Sequence, residues 1–163
     1  MKNTAAISNK ILTFSQAQHY IAAARVTGKK IAFTNGCFDI LHEGHIYSLS
    51  QAAKEADILV VGVNADSSVV KLKGPNRPVN NQHSRSLLLA ALLIVDVVVI
   101  FEEDTPLELI NLLQPDVLVK GGDYTIEQVV GAKEVIANGG KVIINQIIEG
   151  FSTTGTIEKI RHL

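Results

Sequence analysis

The chain has 163 residues, of which 47% are apolar and 19% charged, and it carries a formal net charge of −1 at pH 7. A chain of this size buries roughly two thirds of its unfolded surface around one core, so a single domain over 1–163 is expected, with disorder confined to residues 1–10. Lys and Arg are scattered, which leaves no basic footprint for a nucleic-acid backbone, and nucleic acid is not expected as a partner.

Residues 1–14 place Lys2, Asn3, Ser8, Asn9 and Lys10 among apolar positions and so lack the core of a secretion signal. Ser15 with Gln18 reads as a capping box ahead of a helix over about 20–26. Residues 31–34 form the first of five short β-branched runs; the others are 58–64, 97–101, 117–120 and 142–145. After the first run comes a loop, 35–45, and then a helix to about 56. The apolar stretch 87–101 is too short to cross a membrane and contains Asp96, so it reads as helix, turn and strand, and no membrane association is expected. Thr105, Pro106 and Glu108 open another helix with proline at its first position. Helices over about 126–137 and 154–162 complete the chain. The single cysteine, Cys37, excludes an intrachain disulfide and a multi-cysteine zinc site, which suits a reducing, cytoplasmic compartment.

Strands alternating with helices imply a doubly wound α/β fold, Rossmann-like, with a five-stranded parallel sheet in the order 3-2-1-4-5. Ligands sit where the order of such a sheet reverses, here beyond the first and fourth strands. The two most unusual loops, 35–45 and 121–124, follow those two strands.

The first of these loops reads Asn35-Gly36-Cys37-Phe38-Asp39-Ile40-Leu41-His42-Glu43-Gly44-His45 and leads into a helix. A helix N-terminus offers unpaired N–H groups and partial positive charge, so it attracts phosphate. Gly36 permits a tight turn, Gly44 admits a phosphate close to the backbone, and His42 and His45 add two imidazole donors. Two other readings exist. A metal site would need a third ligand beyond Asp39, and no metal-ligating set is expected; or both histidines simply start a helix.

Gly36-Cys37-Phe38-Asp39 followed by His42-Glu43-Gly44-His45 resembles the His-x-Gly-His signature of the class I nucleotidyltransferase superfamily. Gly150-Phe151-Ser152-Thr153-Thr154, ahead of the last helix, resembles that superfamily's second signature, although alone it would read as an N-cap. Within the superfamily the chain is similar, from about Lys10 onward, to the adenylyltransferases that act on D-glycero-β-D-manno-heptose 1-phosphate. Residues 33–42, 72–79 and 118–124 carry this likeness. Gln82-His83-Ser84-Arg85 departs from it, because an acidic residue is expected ahead of the arginine.

The resemblance implies transfer of AMP from ATP to a sugar phosphate, giving ADP-heptose and pyrophosphate. It assigns His42, His45 and Lys73 to catalysis, with His45 nearer the α-phosphate. Gly36, Cys37, Phe38, Gly44, Arg85, Ser152, Thr153 and Thr154 would hold the nucleotide. Lys71, Arg77, Lys120 and Asp123 would face the sugar phosphate. For Lys71 and Lys73 the competing reading is solvated surface, and for Asp123 a turn residue. Mg2+ would arrive on the triphosphate, held by phosphate oxygens. Many relatives carry a fused sugar kinase, so here a separate kinase would supply the substrate, and the apolar content favours a homodimer. The alternatives are a cytidylyltransferase acting on glycerol 3-phosphate or a small phosphonate, and a non-catalytic nucleotide-sensing module.

Overall fold

A computed structural model describes residues 3–146, 148 and 150–162. In chain order the elements are α1 (Ala5–Ser8), β1 (Ile11–Leu12), α2 (Phe14–Val26), β2 (Ile31–Gly36), α3 (Glu43–Ala53), β3 (Ile58–Asn64), α4 (Asp66–Lys73) and α5 (Gln82–Ala90). They continue as β4 (Val97–Phe101), α6 (Leu107–Leu113), β5 (Val117–Gly121), α7 (Ala132–Ala137), β6 (Lys141–Asn145) and α8 (Thr153–Arg161). α1 lies within the segment for which disorder was expected.

Every strand pairing is parallel, and the order is β1-β4-β3-β2-β5-β6. The expected count of five strands is corrected to six. Ile11 and Leu12 pair with Val98 and Val99 at the edge of the sheet, and a strand of two residues is too short to show any periodicity in sequence. The switch between neighbours lies at β2, which pairs β3 on one side and β5 on the other.

Strand alternation divides the core into two layers. Ile31, Phe33, Val60, Val97 and Val99 pack with Ile21 of α2, Leu109 and Leu113 of α6 and Val135 of α7. Ala32, Leu59, Val61 and Val98 pack on the opposite face with Leu49 of α3 and Leu89 of α5. All seven residues of β3 are buried, as a strand covered on both faces requires. Asp96 and Asp116 stand just before β4 and β5, and their carboxylates accept the N–H of Leu59 at 2.8 Å and of Ile31 at 2.9 Å. The charge inside the apolar stretch therefore caps a neighbouring strand.

Three local expectations are corrected. The capping box before α2 is Thr13 with Gln16, two residues earlier than Ser15 with Gln18, because the helix already starts at Phe14. Pro106 is the N-cap of α6 and Leu107 its first residue. The helix expected over 126–137 is a 3-10 turn, Ile126–Gln128, followed by α7, because Gly131 between them takes φ +85.

Candidate active site

The site begins where β2 ends. Its last residues, Asn35 and Gly36, lead through a loop to His42, the extended N-cap of α3 (φ −143, ψ 171). Gly36 does not take the left-handed conformation; Phe38 does, with φ 48. A Cβ on Gly36 would lie 3.1 Å from the Phe38 ring, so the glycine serves close approach and not the turn itself.

Phe38 in turn packs against His45, with ring centroids 5.3 Å apart, and His45 stacks on His42. Gly44 sits beneath this stack. A Cβ there would meet His42 Nδ1 at 3.1 Å and the Phe151 Cβ at 3.3 Å. Burial lowers the pKa of both imidazoles. Burial and the neighbouring His42 together bring His45 to about 4, so it is neutral at pH 7. The Nδ1 atoms of both rings are buried and have no hydrogen-bond partner among the described residues.

These rings line a cavity of about 270 Å3 together with Cys37, Ser48, Lys120 and Phe151. Lys120, at the end of β5, donates to Asn35 Oδ1 at 3.4 Å, and its ammonium lies 5.8 Å from the Tyr124 ring centroid. Burial lowers the Lys120 pKa, and it raises that of the Cys37 thiol against the opposing pull of Lys73 and other cations. β2 and β5 thus bring the two loops together at the switch point. A larger hollow, about 430 Å3, lies at the sheet edge by Ile11, Phe14, Glu102 and Glu103. Its carboxylates oppose a polyphosphate, so the smaller cavity is the better candidate.

The second signature reaches the first through Thr153, whose Oγ1 donates to the Ile40 carbonyl at 3.4 Å. Ser152 is the N-cap of α8, its Oγ accepting from Gly155 N at 3.0 Å. Thr154 is exposed, and the described cavity lining includes Phe151 but none of these three hydroxyls. Phe151 parallels His42 at 6.4 Å between centroids.

The cations are distributed differently from their shared assignment in sequence. Lys71 and Lys73 lie in the last turn of α4. Lys73 lines an adjoining hollow with Cys37 and Lys120, whereas Lys71 pairs with Asp104 at 2.8 Å. The Arg77 guanidinium donates to Asp39 at 2.6 Å. Asp39 also accepts the N–H groups of Val79 and Asn80, which ties the loop after α4 to the loop after β2. Burial pushes the Asp39 carboxyl up, yet these N–H groups and Arg77 outweigh it and hold it below the usual value.

Arg85 is fully buried and donates to the carbonyls of Cys37, Asn64 and Asn80. Its carboxylate partner is Asp66 at 2.7 Å, supplied from the start of α4 and not from the residues just ahead of the arginine, where Gln82 accepts from Asp66 N at 2.8 Å. Asp123 is exposed on the loop after β5. Sequence reasoning passed over Ser48, Phe151, Tyr124 and the Asp39 clamp. Phe151 stands inside the Gly150-Phe151-Ser152-Thr153-Thr154 segment, which was its available sign in sequence. No group of three or more His, Cys, Asp or Glu placed to hold a metal occurs among the described residues, nor does any helix long and apolar enough to cross a membrane.

Residues 33–159 match the family described as cytidylyltransferase-like. The chain is 56% identical over 151 residues to the bifunctional protein HldE of Mesorhizobium japonicum, covering 93% of this chain and 30% of that one. For the bifunctional protein HldE of Caulobacter vibrioides the identity is 53% over 151 residues, covering 93% and 31%. The chain thus spans under a third of the length of these curated relatives. A lipopolysaccharide core biosynthesis protein from Thermoplasma volcanium matches with a TM-score of 0.60 at 30% identity, covering 74% of this chain and 98% of that one. Pantoate-beta-alanine ligase from Francisella tularensis shares the fold, with a TM-score of 0.58 at 17% identity over 94% of this chain and 78% of that one.

Proposed function

The chain belongs to the cytidylyltransferase-like family of nucleotidyltransferases, and from that premise we propose that it joins the AMP moiety of ATP to D-glycero-β-D-manno-heptose 1-phosphate, giving ADP-heptose and pyrophosphate. The observation that carries this reading is the neutral His42–His45 stack at the start of α3, sharing one cavity with Lys120. The heptose acceptor is supported by the resemblance of residues 33–42, 72–79 and 118–124; the Thermoplasma relative is named for lipopolysaccharide core biosynthesis.

A phosphate oxygen of the acceptor attacks the α-phosphorus, a new P–O bond forms, and the bond to the β-phosphate oxygen breaks. A phosphomonoester has a second pKa near 6 and is already largely ionised at pH 7, so no general base is needed. The protein's task is positioning and charge stabilisation. Neutral imidazoles suit it, because each keeps one N–H to donate to phosphate. His42 and His45 act on the triphosphate, with His45 nearer the α-phosphate, and the α8 start adds Ser152, Thr153 and Thr154. Gly36, Cys37, Phe38 and Gly44 shape the nucleotide side. Arg85 acts on it through the Cys37 carbonyl, and Arg77 acts through Asp39. Lys73, Lys71, Lys120 and Asp123 belong to the acceptor side.

Among the described residues no group of three or more His, Cys, Asp or Glu is placed to hold a metal; a Mg2+ ion carried on the triphosphate's own oxygens would need none and would offset part of the phosphate charge. Dependence on ATP favours a cytoplasmic setting. Exposed Leu87, Leu88 and Leu93, at 40%, 47% and 95%, support a homodimer, which sedimentation would test.

The test crosses ATP, CTP, GTP and UTP with heptose 1-phosphate and glycerol 3-phosphate and measures pyrophosphate. Release is expected with ATP and heptose 1-phosphate. Release confined to CTP and glycerol 3-phosphate would establish the cytidylyl rival, and ATP binding without release from any acceptor would establish a sensor.

A further inference from the structure

A second hollow, about 320 Å3, adjoins the histidine cavity, and the two share Asn35, Gly36, Cys37, Lys120 and Tyr124 along their common wall. Lys73, from the last turn of α4, enters this second hollow on one side. Asp104 and Thr105, from the loop after β4, enter it as well. The residues that line the hollow therefore carry two ammonium groups, a carboxylate and a hydroxyl. An anion is drawn to the first pair and repelled by Asp104, whereas neutral hydroxyls are welcome at a carboxylate acceptor.

Asp104 is not engaged in holding the fold together. Its one described partner is Lys71, which bonds Oδ1 at 2.8 Å, and their side chains are 65% and 74% exposed. An ion pair that open contributes little to stability. A carboxylate offers about four acceptor positions on two oxygens, so this contact orients Asp104 at the rim and leaves it able to accept from a ligand.

We infer that this second hollow is the acceptor subsite, in which Lys73 and Lys120 take the phosphate and Asp104, with Thr105, reads the sugar hydroxyls. The inference rests on the transfer reaction proposed above and goes further by naming what distinguishes a polyhydroxylated acceptor. The phosphate then sits at the wall shared with the histidine cavity, where attack on the α-phosphorus requires it. A minimal anion uses only the lysines. A sugar phosphate uses both groups.

The test compares wild type with Asp104→Ala, Asp104→Asn and Thr105→Val in steady-state pyrophosphate release, with inorganic phosphate as a competitive inhibitor against the acceptor. For Asp104→Ala the acceptor KM is expected to rise at least tenfold, while the ATP KM and the phosphate inhibition constant stay within twofold. Asp104→Asn, which keeps one oxygen acceptor, and Thr105→Val should show smaller rises. The inference is overturned if the acceptor KM is unchanged in all three variants, or if the ATP and phosphate constants worsen in step with it. Wild type that releases pyrophosphate with heptose 1-phosphate while the variants match it sinks the subsite alone. Wild type silent with every sugar phosphate sinks the transfer reaction, and the subsite with it.

Discussion

The imidazole of His42 lies against that of His45, their centroids 3.8 Å apart and their planes 24° from parallel. Two imidazolium ions so placed would repel, and burial disfavours charge on either ring. The pair therefore meets its ligand as neutral donors.

Truncating His45 removes a donor aimed at the transition state. His45→Ala is expected to lower kcat by about a hundredfold to a thousandfold, roughly 3 to 4 kcal/mol of barrier, with the circular dichroism of the wild type. Turnover close to wild type would deny His45 the role.

The His45 pKa of about 4 fixes a pH dependence. In the unfolded chain the same ring titrates near 6.5, so between about pH 6.5 and 4 the unfolded state binds more protons. This contribution to stability is complete above that window and is lost as pH falls through it. An NMR titration of the ring should show a pKa near 4 in the free protein, moved upward by triphosphate, which favours the charged form. A free-protein value near 6.5 would refute the buried, neutral pair.

Gly44→Ala separates fold from function. Alanine is the better helix former, by up to about 1 kcal/mol in a helix interior, which at the second residue of α3 offsets part of the crowding, and thermal stability should change little. Its Cβ would press on His42 and Phe151, and a displaced catalytic group should lower kcat/KM by about tenfold or more. Lost stability with intact kinetics would contradict this.

Asp39→Ala leaves Arg77 without its partner and frees two backbone N–H groups. Asp39 is 1% exposed, and removing one member of a buried pair is expected to cost about 3 kcal/mol. Its depressed pKa means that its stabilisation holds above the ordinary carboxylate range and disappears as pH falls below it. Urea midpoints at pH 7 and pH 3 should differ less in the variant than in wild type; equal differences would remove Asp39 from the account.

The strands of the central sheet were legible because each contains a short apolar run with β-branched residues, and the site loops because glycines and histidines cluster there. Three features were hidden, each for its own reason. β1 is shorter than any period. Thr13 with Gln16 and Ser15 with Gln18 obey the same capping grammar, and packing of Phe14 against the core chooses between them. Arg77 and Arg85 look alike as cations in sequence, yet one reaches Asp39 across 38 positions and the other is enclosed by carbonyls and Asp66. A cation's partner is set by tertiary contact, and its residue type does not announce whether that partner is phosphate or protein.

The histidine stack and the start of α8 are expected to close on one triphosphate. A crystal structure with α,β-methylene-ATP tests it most directly. The phosphates are predicted within hydrogen-bond reach of His42 or His45 on one side and of the Ser152 to Thr154 segment on the other. Density for the analogue elsewhere, such as the hollow beside Glu102 and Glu103, with the imidazoles unoccupied, would show that the two segments do not form one triphosphate site.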